Sequence, residues 1–195
     1  MKLSMWLLQR RLADYHPTAT ITKGAQIIEG VRFYTNDSEQ DERFLYISRV
    51  KDVYPDSSSS QILLMNGNDV ISIDAPDVEV VYNRTMEAFE FYNDWERRLH
   101  DAASGETPEQ AIIDVTDELL GPTFLMDSDL TLVAFSRRYA RGEVNALWDS
   151  FIANGNTTLD TVDMMKQSAI SKLQFRKHDC LVFEEPHAAP YSHGI

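Results

Sequence analysis

The sequence has little of what most enzyme families require, and each shortage excludes a class of protein. Its 195 residues include one cysteine, Cys180, so no disulfide can form within the chain. It has no G-x-G-x-x-G or Walker-type phosphate loop and no G-x-S-x-G turn around a nucleophilic serine. No run of about 18 apolar residues could form a transmembrane helix. We therefore expect a cytoplasmic protein that is neither an enzyme nor a membrane protein.

Basic residues are also scarce, which bears on possible partners. The 18 lysines and arginines stand against 31 aspartates and glutamates, so the formal net charge is −13, spread over both halves of the chain. A surface of this charge repels the phosphates of nucleic acids and of anionic lipids. The composition therefore predicts that this chain by itself binds neither DNA nor a membrane.

The first 77 residues have the pattern of a small α/β domain. Apolar positions at helical spacing over residues 3–14 predict a short amphipathic helix that ends before Pro17. The β-type runs that follow lie at residues 18–22, 26–34, 44–48, 61–65 and 70–73. Lys23-Gly24 and Asn66-Gly67-Asn68-Asp69 are the predicted hairpin turns between the first two and the last two runs. The pattern thus predicts about five strands with one or two helices.

A helix of different character is predicted over residues 78–103, where it would connect this domain to a second one. Its apolar positions step by four and three residues in turn, the a/d pattern of a coiled coil. The positions of this seam are Val81, Thr85, Ala88, Tyr92, Trp95 and Leu99. The seam fits a parallel dimer helix between two domains. It also fits a helix that packs on its own domain, with Met86, Phe89 and Phe91 widening the apolar face.

The second predicted domain spans residues 104–195, and Leu119–Ser136 is its most informative part. A helix ends at Gly121-Pro122, and a strand at 123–126, an acidic turn at 127–129 and a strand at 130–135 follow. This order resembles the beginning of sensory domains of the PAS and GAF type. Later helices are predicted at 142–154 and 159–168, and strands at 171–175 and 180–183. The fold class predicted for the whole chain is therefore α+β, with a partial PAS/GAF-like second domain.

Apolar side chains of the second domain are the candidate lining of a ligand pocket. They are Phe124, Met126, Val133, Phe135, Trp148, Phe151, Phe175 and Cys180. The alternative is that they form the core, because burying one large apolar side chain contributes about 1.5–3 kcal/mol and a small domain needs most of them. The sequence predicts no catalytic residue and no cofactor.

Two groups of polar residues are candidates for a metal site and for an acid–base pair. Neither has the arrangement that such a site normally shows. Within sixteen residues lie His178, Cys180, His187 and His193. These side chains suit zinc, but their spacing matches no standard zinc site, so we predict no metal. Asp127 and Asp129 resemble an acid–base pair, but aspartates in such a turn commonly bond their own backbone.

Three stretches resemble the N-terminal regulatory part of PucR-type bacterial transcriptional regulators. They are MKLSMWLLQRRLADYHP, NGNDVISIDAPDVEVVYNRTMEAFEFYNDWERRL and LLGPTFLMDSDLTLVAFS. The resemblance implies a homodimeric sensory region that passes an unknown small-molecule or protein signal to a helix-turn-helix domain. That DNA-binding domain is absent here, so the chain would be part of a longer regulator. An acidic adaptor that binds a basic protein without any small ligand is the alternative, and an enzyme ranks last.

Overall fold

The computed structural model describes residues 1–35, 40–57, 59–75, 77–127 and 131–155, and the strand backbone at Val182–Phe183 and His193–Gly194. The chain is α+β, as the sequence predicts. It divides into two units, Met1–Arg98 and Leu99–Ile195. Because the division falls near the end of the predicted connecting helix, most of that helix belongs to the first unit.

The first unit alternates short helices and strands before one long helix. Its elements are α1 (Met5–Arg11), a 3₁₀ turn (Ala13–Tyr15), β1 (Thr18–Thr20), β2 (Gly30–Phe33), β3 (Phe44–Arg49), α2 (Val50–Val53), β4 (Ile62–Asn66), β5 (Asp69–Ile73) and α3 (Val78–Ala103). Ser4 caps α1, since its side-chain oxygen accepts the Leu7 N–H at 3.4 Å. The predicted strands are thus all present, although the run predicted at 26–34 forms a strand only over Gly30–Phe33.

The five strands form one sheet in the order β1-β5-β4-β3-β2, with β2 parallel to β3 and the other pairs antiparallel. The predicted hairpin between the last two strands is confirmed, because Asn66 pairs with Asp69 across a two-residue turn. Gly67 occupies that turn with a φ of 57°, a conformation that favours glycine. The predicted hairpin at Lys23-Gly24 is wrong, because β1 and β2 lie at opposite edges of the sheet.

Both faces of the central strands are buried. In-register neighbours share a face, so one face carries Leu45, Ile47, Ile62, Leu64, Ile71 and Ile73, each at most 1% exposed. Phe33 is in register with Ile47 and stacks on Tyr82 of α3, with ring centroids 4.7 Å apart, which places α3 on this face. The opposite face carries a cluster of Tyr46, Val50, Leu63 and Met65. Burial on both faces explains why β4 is a continuous apolar run instead of an alternating one.

In its described residues, the second unit has two short helices around a two-stranded hairpin. Its elements are α4 (Pro108–Leu120), β6 (Phe124–Met126), β7 (Leu132–Phe135) and α5 (Ala146–Asn154), and β8 (Val182–Phe183) pairs antiparallel with β9 (His193–Gly194). Asn145 caps α5 by accepting the Trp148 N–H at 2.8 Å. The helix predicted at 159–168 and the strand predicted at 171–175 lie outside the described residues. None of the helices in the described ranges combines the length and the apolarity needed to cross a membrane.

A buried carboxylate, and not a hairpin, holds the loop after β1. Oδ1 of Asp69 accepts the Thr22 N–H at 2.6 Å and the Lys23 N–H at 3.0 Å, and Oδ2 accepts the Gly24 N–H at 2.7 Å. Three successive N–H groups around one anion form a backbone nest. Burial raises the pKa of Asp69, but these donors and the Thr22 hydroxyl outweigh it and lower the pKa from 3.8 to about 2. The loop is therefore bound to the first residue of β5.

Replacing this carboxylate should destabilise the protein and change how its free energy of unfolding depends on pH in the acid range. Because the folded pKa lies below the unfolded one, the stabilisation is complete above about pH 4 and is lost as the pH falls toward 2. We expect Asp69→Asn to lower the free energy of unfolding at pH 7 by about 1–3 kcal/mol. We also expect it to flatten the loss of stability between pH 4 and pH 2, measured by urea unfolding followed by circular dichroism. Asp74→Asn, at an exposed position just after the same strand, is the control, and an Asp69→Asn curve parallel to that of the wild type would contradict the account.

Candidate functional site

The predicted pocket residues of the second unit meet in a packed aromatic cluster. The Phe124 ring lies 5.0 Å from Phe151 and 6.3 Å from Trp148, and the Phe135 ring lies 6.2 Å from Trp148. Tyr139 adds a third ring against Trp148, and its carbonyl oxygen accepts the indole N–H at 3.4 Å. Trp148 and Phe151 are buried. These distances are those of rings in direct contact, so the four predicted residues are brought together as a core.

Val133 does not join this cluster, although its place in the sequence suggested that it would. The ladder pairs Leu125 with Ala134 and Met126 with Leu132, so Val133 is the extra residue of a β-bulge. Its side chain is 47% exposed. Met126 is half-buried, whereas Phe175 and Cys180 lie outside the described residues. The prediction of Val133 as a pocket residue is therefore not supported by its position.

Polar side chains fix the frame around the cluster. The Gln110 side-chain amide of α4 donates to the Phe135 carbonyl oxygen at 2.9 Å. Asp117, which is buried on the same helix, forms an ion pair of 3.4 Å with Arg138. Asp127 accepts the Thr131 N–H at 2.9 Å, which is the turn role expected for it. Gln110 and Asp127 thus bond to the backbone, whereas the buried Asp117 Oδ1 has an ion pair with Arg138 but no hydrogen bond among the described residues.

The seam of α3 faces its own unit over most of its length. Val81, Thr85, Ala88 and Tyr92 are at most 1% exposed within the single chain. The Thr85 hydroxyl donates to the Val81 carbonyl oxygen at 2.7 Å, so this buried polar group is satisfied inside the helix. Burial by the chain's own residues favours the packed-helix interpretation for these four positions. Trp95 and Leu99, the last two seam positions, are half-buried.

Three polar or aromatic contacts hold the same helix to the first unit. The Arg11 guanidinium lies over the Phe91 ring, 3.9 Å from its centroid. Arg84 pairs with Asp14 at 3.3 Å. Further along, the Met1 amino group lies 2.7 Å from the Glu96 carboxylate. Contacts with α1 and its surroundings therefore extend to the part of α3 that precedes the second unit.

A shallow depression on the first unit was not predicted from the sequence. It has a volume of about 470 Å³ and is open to solvent. Its lining residues come from α1 and the turn after it: Trp6, Gln9, Arg10, Ala13, His16 and Pro17. Trp6 is an apolar residue of the predicted amphipathic helix, yet its side chain is 56% exposed. The sequence indicates this exposure in one way: Trp6 does not lie at helical spacing from the buried residues Met5, Leu8 and Leu12.

If the aromatic cluster is a core, its parts should be needed for stability. We expect Phe151→Ala to destabilise the second unit by about 3–5 kcal/mol, because it removes a buried ring and leaves a cavity. Val133→Ala, which truncates an exposed side chain of the same unit, should change stability by no more than about 0.5 kcal/mol. Thermal unfolding followed by near-ultraviolet circular dichroism compares the two. A Phe151→Ala protein as stable as Val133→Ala would show that the rings line a cavity instead.

Among the described residues, neither a metal-binding group nor similarity to a known protein identifies the site. Its function is therefore argued from the contacts above. In the parts of the chain that the structure describes, no group of three or more His, Cys, Asp or Glu side chains is placed to hold a metal ion. The candidate zinc ligands His178, Cys180 and His187 lie outside those parts, and only the backbone of His193 is described. No protein-family model matches the chain, and no curated protein or solved structure is significantly similar to it.

Proposed function

We propose that this chain is the regulatory part of a PucR-type bacterial transcriptional regulator, a cytoplasmic and non-catalytic signalling module. The observation that carries the proposal is the continuity of α3. Its 26 residues, Val78–Ala103, run without interruption past the boundary between the two units at Arg98 and Leu99. A continuous helix transmits a displacement along its axis, whereas a flexible linker does not. The second unit would be the PAS/GAF-like sensory domain that the resemblance implies.

The burial of α3 restricts where a homodimer could form. The first four seam positions are covered by the chain's own first unit. The remaining positions, Trp95 and Leu99, are half-buried and lie at the end of the helix, next to the half-buried Ala102. We therefore place the proposed dimer contact at these last turns of α3 and not along the whole seam. A signal that shifts this short contact would pass to a DNA-binding domain outside this chain.

An acidic adaptor is the second candidate, and the packing of the second unit is the observation that favours it. Phe124, Phe135, Trp148 and Phe151 are in ring contact, as in a core that needs no small ligand. The net charge of −13 would attract a basic protein partner. This candidate requires no self-association of the chain, so the oligomeric state separates it from the regulatory module.

The dimer contact is tested by measuring molar mass in solution. At high micromolar concentration we expect the wild type to have about twice the chain mass of 22.3 kDa in size-exclusion chromatography with light scattering. Trp95→Glu and Leu99→Glu should each shift the protein toward the monomer, because a carboxylate at the contact would be buried unpaired. Glu90→Gln, at an exposed position on the same helix, should leave the dimer intact. Circular dichroism shows whether each variant is folded.

A wild-type protein that stays monomeric at that concentration would contradict the dimer and favour the adaptor. A dimer that persists unchanged in both folded glutamate variants would place the contact somewhere other than the end of α3.

A further inference from the structure

Two asparagines of the chain are followed directly by glycine, and the structure holds them in different ways. They are Asn66, at the end of β4, and Asn154, at the end of α5. An asparagine loses its side-chain amide as ammonia when the backbone nitrogen of the next residue attacks its Cγ, and glycine, which has no side chain, hinders that attack least. The sequence therefore gives both positions the same intrinsic reactivity, and the folded structure decides between them.

The fold protects Asn66 from this reaction. Asn66 is only 8% exposed, and its side-chain nitrogen donates to the carbonyl oxygens of Glu42 at 2.6 Å and of Phe44 at 3.0 Å. It belongs to β4, the central strand of the sheet, and it pairs with Asp69 across the turn. Attack by the Gly67 nitrogen requires the side chain to leave both acceptors while the end of the ladder opens. The reaction at Asn66 is therefore coupled to the unfolding of the sheet.

Asn154 is exposed, and one hydrogen bond holds the nitrogen that would attack it. Its side-chain nitrogen donates to the Ser150 hydroxyl at 3.2 Å on the surface of α5. The Gly155 N–H donates to the Phe151 carbonyl oxygen at 2.9 Å and so closes the last turn of the helix. A helix end opens locally at a lower cost in free energy than a central strand does. Fraying of one turn is therefore enough to free the Gly155 nitrogen.

The surroundings of the two glycines differ in the same direction. In the described part of the chain, no atom beyond its chain neighbours lies within 4 Å of the position that a Cβ of Gly155 would take. The corresponding position at Gly67 lies 3.4 Å from a carboxylate oxygen of Glu42. The Asn154-Gly155 pair therefore has space for a five-membered ring and for the water that opens it.

We propose that Asn154 is a site of spontaneous deamidation in the folded protein. The Gly155 nitrogen forms a bond to Cγ of Asn154, the bond between Cγ and the side-chain nitrogen breaks, and that nitrogen leaves as ammonia with the proton of the Gly155 N–H. One water molecule then opens the succinimide at either of its carbonyl groups, which gives aspartate or isoaspartate. Water is the only co-reactant, and the site does not depend on the proposed function.

The products change the end of α5 in two ways. Either product places a carboxylate at the C-terminus of the helix, where the helix dipole disfavours a negative charge. Isoaspartate also adds one carbon to the backbone directly before Gly155, whose carbonyl oxygen accepts the Leu132 N–H of β7 at 2.9 Å. Phe151, one turn earlier in α5, belongs to the aromatic cluster. We therefore expect deamidation of Asn154 to loosen the link between α5 and the hairpin and to destabilise the second unit.

The test compares the two Asn-Gly pairs in one sample of full-length protein. The protein is kept at mildly alkaline pH, digested at low pH, and the deamidated fraction of each peptide is measured by mass spectrometry. In the folded protein we expect Asn154 to react at least about 10-fold faster than Asn66, because its opening is local. In urea the two rates should agree within about 2-fold, because the unfolded chain exposes both pairs.

Equal rates at the two positions of the folded protein, or a faster reaction at Asn66, would overturn the site. Rates that already differ about 10-fold in urea would assign the difference to the sequence and overturn the structural cause.

Asn154→Gln, aged in parallel with the wild type, is the matched control for the effect on stability. It should show no product at position 154 and should keep its melting temperature, measured by near-ultraviolet circular dichroism. We expect the melting temperature of the aged wild type to fall below that of the aged variant. Equal melting temperatures after Asn154 has reacted would overturn the effect on the second unit.

Discussion

The burial of one face of α3 within the first unit is the interaction on which the rest of this unit depends. Val81, Ala88 and Tyr92 form a buried apolar layer, each at most 1% exposed, and Tyr82, next to Val81, stacks on Phe33 of β2. Each large side chain in such a layer contributes about 1.5–3 kcal/mol when it is removed from water. The helix up to Tyr92 is therefore part of a core, and its last turns are less buried.

This arrangement gives the helix two different roles along its length. Up to Tyr92 its seam is buried in the first unit, and Arg84 and Phe91 bind it to the 3₁₀ turn and to α1. From Trp95 onward it is covered less and continues to Ala103. In the proposed regulatory module, this continuous helix would carry a displacement from one unit to the other.

The sequence predicted the parts of the fold that local chemistry determines. The β4–β5 hairpin follows from Asn66-Gly67, because a glycine there adopts the positive φ that the turn requires. The Lys23-Gly24 turn was misread, because its N–H groups bind the carboxylate of Asp69, which is distant in sequence. Such a contact leaves no periodic signal. Likewise, the heptad spacing of α3 correctly indicated a buried face but could not show whether a second chain or the sheet buries it.

The candidate sites were predicted less well than the strands, for similar reasons. The rings of Phe124, Phe135, Trp148 and Phe151 lie in one cluster, but the spacing of apolar residues alone does not distinguish a core from an open pocket. Val133 was misplaced by a bulge that shifts the register by one residue. The depression around Trp6 was missed because an exposed tryptophan on an amphipathic helix looks like one more core position. The Lys23-Gly24 error comes from a contact with a residue that is distant in sequence, whereas the Val133 error comes from a bulge inside a local hairpin.

Hydrogen exchange along α3 tests the central claim most directly. Backbone amides that are buried in a core exchange only when the whole unit unfolds, whereas amides at a less covered helix end exchange through local opening. The account predicts that the amides from Val81 to Tyr92 exchange slowly and at a rate independent of protein concentration, and that those from Leu99 to Ala103 exchange faster and slow down as the concentration rises. Equally fast exchange along the whole helix, or protection of Val81–Tyr92 that appears only at high concentration, would contradict it.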